Sequence, residues 1–98
     1  VSALRLEKTA RGEFCLSGDF TRDNLIQVEG SQQQFWQQDR LKLDLADVAQ
    51  ADMAGLAWLI ELVSQARHKS VSLQLENVPE TLLKLAKISD VQELLPLQ

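Results

Sequence analysis

The side chains with a chemistry of their own are Cys15, His68 and the carboxylates Asp44 and Asp47. A nucleophilic thiol needs an electropositive, partly exposed setting. Cys15 instead lies between Phe14 and Leu16 and reads as an inert packed thiol. His68 stands between Arg67 and Lys69 at the end of an apolar-periodic segment. Positive charge suits a helix C-terminus there, and a capping or solvent role outweighs general base catalysis. Asp44 and Asp47 could form an acid pair or a weak cation site, but solvated loop carboxylates are far commoner. Neither a G-x-x-x-x-G-K-[ST] phosphate loop nor a G-x-G-x-x-G fingerprint is present. A single cysteine and a single histidine exclude an intramolecular disulfide and the Cys/His zinc sites. The expectation is a protein that is not an enzyme and has no cofactor and no metal.

Charge narrows the partners. Ten Lys and Arg stand against fourteen Asp and Glu, a formal net charge of -4. A general nucleic-acid binder needs a basic face to neutralise phosphates, so no nucleic-acid partner is expected. The composition gives no support to a polybasic membrane anchor either. No apolar run approaches the roughly 20 residues that span a bilayer, and the opening residues lack a signal-peptide core. The lone cysteine permits a reducing, cytosolic compartment.

The elements that must position these residues fit one domain over residues 1–98, a length typical of a single core. Leu4 to Lys8 and Glu13 to Leu16 alternate as strands around a turn at Ala10-Arg11-Gly12, with Gly18 breaking the second. A helix capped by Thr21 carries Leu25, Val28, Phe35 and Trp36 on one side, across Gly30. The alternation of Leu41, Leu43 and Leu45 gives a third strand, followed by a loop from Ala46 to Ala51. A helix runs from Met53 to about His68. Val71, Leu73 and Leu75 form a fourth strand. Pro79 opens a further helix with a buried stripe of Leu82, Leu85, Ala86 and Ile88. A last turn, Val91 to Leu95, stops at Pro96. The expected fold is α/β: a mixed sheet of about four strands, with three to four helices packed mainly on one face.

The most informative stretch is the start of the helix at Met53. Asp52 can N-cap it by accepting from the N–H of Ala54 or Gly55. Gly55 is costly inside a helix. Either tight packing on the sheet or a partner approaching the backbone would account for it. At 100° per residue, Leu56, Leu59, Ile60, Val63 and Ala66 form the core stripe, with Leu62 at its edge. Trp58 falls nearly opposite, beside Ala54, Glu61 and Gln65. Chance exposure and a contact surface both remain open for it.

The string from Leu43 to Ala57, LDLADVAQADMAGLA, resembles the core motif of STAS domains: a strand ending in an apolar-Asp-Leu run, a loop, then Asp-Ser/Thr-x-Gly-Leu at a helix start. Ser17-Gly18-Asp19-Phe20 is similar to the family's turn after the second strand. Asn77-Val78-Pro79 and the helix to Ile88 match its usual close. Within the family, the MlaB-like members are most similar. The resemblance implies a non-enzymatic STAS domain. It implies a cytoplasmic location, at the inner-membrane complex of a Gram-negative bacterium. It implies a partner, the ATPase subunit (MlaF-like) of a phospholipid ABC transporter, met through Asp52, Met53, Ala54, Gly55 and Trp58. In the anti-sigma-factor antagonists of the family, the residue after the Asp is a phosphate-accepting Ser or Thr. Met53 occupies that place and Ala54 follows it, so the chain has no phosphoacceptor there. An antagonist-like regulatory module lacking the phosphoacceptor is the alternative.

Overall fold

Alternating apolar and polar residues build a sheet with one dry face. The computed structural model describes residues 3–28 and 30–95. It contains strands β1 (Arg5–Ala10), β2 (Glu13–Phe20), β3 (Arg40–Ala51) and β4 (Ser72–Glu76), and helices α1 (Met53–His68) and α2 (Glu80–Ile88). The sheet order is β1-β2-β3-β4. β1 pairs antiparallel with β2, and β3 runs parallel to both β2 and β4. The parallel pair β3 and β4 needs a crossover, and α1 supplies it. This is the mixed α/β fold expected from the alternation.

One sheet face carries Phe14, Leu16, Leu41, Leu43, Leu45 and Leu75, all at most 1% exposed. Leu56, Leu59 and Leu62 of α1 and Leu82 of α2 close the core from the helical side. The other face carries Glu7, Cys15, Lys42, Asp44, Gln74 and Glu76, which are exposed or half-buried. One wet face is what an antiparallel or mixed sheet tolerates and an all-parallel one does not.

Three boundaries differ from the sequence expectation. β2 continues through Gly18 to Phe20, and β3 continues from Leu45 to Ala51, where a loop was expected. The two extensions pair with each other, Ser17 to Asp47 and Phe20 to Ala51, with register shifts near Ser17 and Gly18. Each shift changes side-chain parity, so the period-2 pattern that announces a strand is lost there. The segment expected as one helix after Thr21 is instead two 3₁₀ stretches, Arg22–Val28 and Ser31–Gln37. Gly30, at φ 85°, turns the chain left-handed between them. Val28 and Phe35 are still buried and Leu25 and Trp36 partly so; the expected apolar side faces the core although the helices are 3₁₀. The closing turn is a 3₁₀ stretch, Gln92–Leu94, and Pro96 lies outside the described residues.

Candidate functional site at the start of helix α1

Asp52 sits in extended conformation between β3 and α1 and uses both carboxylate oxygens. Oδ1 accepts the Gly55 N–H at 3.1 Å, satisfying one of the helix's orphan donors. Oδ2 accepts the Arg22 N–H at 3.1 Å, which ties down the first 3₁₀ stretch. The Asp52 N–H donates to the Phe20 carbonyl at 3.3 Å. One residue therefore joins the ends of β2 and β3 to two helical starts. The first stretch gains a second tie where Asn24 Nδ2 donates to the Asp19 carbonyl at 3.0 Å.

Gly55 is buried, and the neighbouring atoms decide between its two readings. A Cβ there would overlap the Phe20 carbonyl oxygen and come within 3.0 Å of the Phe20 ring. Glycine is thus explained by the approach of α1 to the end of β2. The core face of α1 is rolled accordingly. Leu62, read as an edge residue, is 2% exposed, whereas Ile60, read as core, is half-buried. The same roll carries Trp58 from the expected outer face to the flank of the stripe. It is partly buried and packs edge-on against Phe20, with centroids 5.6 Å apart at 85°. The site's indole is therefore part of the packing at the tip and only partly exposed.

The exposed surface at this tip belongs to other residues. Met53 is 50% exposed and Ala57, one turn on, is exposed; Ala54 is half-buried. Ser89 Oγ donates to Met53 Sδ at 3.7 Å, bringing the end of α2 against the start of α1. Ile88, the residue before Ser89, is 81% exposed, and not in the buried stripe expected for it. It lies about 120° around the helix from Leu82, so a stricter helical-wheel reading finds it. Ala57 and Ile88 are the surface residues that sequence reasoning missed. With Met53 they add exposed apolar side chains near the cap, next to the Ser89 hydroxyl and the exposed Arg22.

Cys15, Asp44 and Asp47 come together elsewhere, on the open sheet face. Cys15 pairs in register with Glu7 on one side and Asp44 on the other. Its thiol donates to Asp47 Oδ2 at 3.7 Å. Burial pushes the thiol pKa up from 9.0, and the charges of Asp47, Asp44 and Glu7 push the same way. A thiol held protonated by acids is the reverse of an activated nucleophile. Asp44 is structural as well: Oδ1 accepts from the Ala46 N–H at 2.9 Å and from Asn77 Nδ2 at 3.0 Å, and Asn77 has φ 54°. Among the described residues, no group of three or more His, Cys, Asp or Glu is arranged to hold a metal. None of the described helices is long and apolar enough to cross a membrane. His68 is exposed on the last turn of α1.

The fold and the capped tip define a class: a small α/β module with a mixed four-stranded sheet and its helices on one face. The family model described as Mlab, STAS domain, matches residues 7–96, nearly the whole chain, and the chain belongs to this family of STAS domains of the MlaB type. The comparison with curated proteins gave no match.

Proposed function

We propose that this STAS domain is a non-enzymatic subunit that docks on the ATPase subunit of an Mla-type phospholipid ABC transporter and supports lipid transport between membranes. The site is the start of α1. In this reading Asp52 and Gly55 shape the tip, and Met53, Ala54 and the exposed part of Trp58 meet the partner. The observation that carries it is the half-exposed Met53, with the exposed Ala57 one turn on, at a helix start fixed by the Asp52 cap. Methionine suits such a position because its flexible thioether adapts to an irregular apolar partner. Placing the complex at the inner membrane, on the cytoplasmic side, follows from the same reading. The antagonist-like alternative draws no support from the tip, since neither Met53 nor Ala54 has a hydroxyl.

Co-expression with a cognate ATPase subunit tests this. The native chain should co-purify in a defined ratio. Met53→Glu combined with Ala57→Glu should weaken the complex at least tenfold and leave the thermal midpoint within about 2 °C of the native value, because both positions face solvent. Undiminished affinity in the double variant sinks the docking site.

A further inference from the structure

The sequence scatters its cations, but the fold gathers six of the ten at the end of the molecule opposite the start of α1. Lys8 and Arg11 flank the β1–β2 turn, Arg40 and Lys42 begin β3, and Arg67 and Lys69 end α1. All six are exposed, and none forms a salt bridge among the described residues. The backbone locks these segments together. The Lys42 N–H donates to the Gly12 carbonyl at 2.7 Å, and the Ser72 N–H donates to the Asp39 carbonyl at 2.8 Å. Lys69 lies over the half-buried Trp36, 5.8 Å from the ring centroid. Among the described residues, the acids at this end are Glu13 and Asp39. A groove of about 590 Å³, open to solvent, runs along Lys8, Thr9, Ala10, Arg11, Gln37 and Gln38. A second, of about 280 Å³, continues it past Arg11 to Arg40.

We infer that this basic end is an electrostatic contact surface for an anionic phospholipid membrane. Clustered cations near a negative leaflet each add to binding, within the reach of a Debye length. The half-buried indole at the margin fits the headgroup region, where tryptophan is favoured. A nucleic-acid partner fits less well. The cations form a cap and not a track, and no set of exposed aromatics accompanies them for stacking. Whole-chain charge hid the feature, because a sum over the sequence is blind to clustering. The surface does not depend on which partner covers Met53.

The test is co-sedimentation of the full chain with vesicles. Vesicles of phosphatidylcholine with 40% phosphatidylglycerol, on the order of a physiological anionic fraction, should bind it; pure phosphatidylcholine should not. Raising salt from about 50 to 300 mM should release it. The triple variant Lys8→Gln, Arg11→Gln, Arg40→Gln should lower partitioning about a hundredfold, near fivefold for each charge removed. Lys87→Gln on α2 should leave it unchanged. Circular dichroism of each variant checks the fold. Equal binding to neutral vesicles, equal binding by the triple variant, or tighter binding to a single-stranded RNA oligomer overturns the inference. So does full displacement by inorganic phosphate at the lipid's own phosphate concentration, which would mark a discrete anion pocket. Pull-down of the ATPase subunit by the same triple variant should be undiminished, so failure here is distinguishable from failure of the docking reading.

Discussion

The two ends of α1 use the same aromatic device in opposite surroundings. At the start, the buried Phe20 meets the half-buried Trp58 edge-on at 5.6 Å; at the end, Phe35 meets Trp36 edge-on at 6.1 Å. Beyond those pairs the ends diverge. The start is closed by a carboxylate, a glycine and a carbonyl packed against one another, with the half-exposed Met53 outside. The end is closed by backbone alone and leaves Arg67, His68 and Lys69 exposed, with Lys69 over the Trp36 ring. The difference teaches where specificity is stored. A close-packed node has one solution and tolerates no added atom, whereas a solvated end tolerates many side chains.

Gly55→Ala should separate the ends most sharply. The new methyl would strike the Phe20 carbonyl oxygen, which belongs to the backbone and cannot step aside cheaply. A loss of about 2–3 kcal/mol in urea unfolding is expected, against the small gain that alanine usually brings to a helix interior. A neutral or stabilising result would mean that α1 can slide away from β2, and the start would no longer be the rigid end.

Asp52→Ala comes next, with an expected loss of about 2 kcal/mol, since two backbone N–H groups lose their acceptor together. Asp52→Asn should cost roughly half as much, because one amide oxygen can accept from only one of those sites well. Equal losses for Ala and Asn would show that charge, and not the number of acceptors, holds the node.

The asymmetry also explains what could be read in advance. The Asp52 cap, the span of α1 and the alternation of Leu41, Leu43 and Leu45 are local patterns, and each was legible. The pairing of the β2 and β3 extensions was not, because register shifts at Ser17 and Gly18 erase the alternation. The roll of α1 was not legible either. It is set by the Phe20 carbonyl, 35 positions before Gly55 in the chain, and no helical wheel contains that atom. The wheel puts Trp58 on the outer face for that reason. The basic end was hidden in the same way: its cations come from three separate turns that only the topology brings together.

The smallest effect is expected at the other end of α1, and with the opposite sign. After the last turn, the Ser70 N–H donates to the Arg67 carbonyl at 3.2 Å and the Val71 N–H to the Ala66 carbonyl at 2.9 Å, the pair of bonds that defines a Schellman close. Ser70 sits at φ 57°, where a side chain is disfavoured and glycine is not. α2 ends the same way, with Asp90 at φ 58° and bonds to Lys87 and Ala86. Ser70→Gly relieves the left-handed strain but gives the unfolded chain more freedom, so the terms partly cancel. A net gain of about 0.5 kcal/mol is expected, read as a small rise in the thermal midpoint. The same glycine at Asp90 should behave alike, which makes the pair an internal control. A loss at Ser70 with a gain at Asp90 would mean that the serine side chain matters to the solvated end of α1 in a way its backbone bonds do not convey. The contrast between a fixed start and a tolerant end would then have to be redrawn.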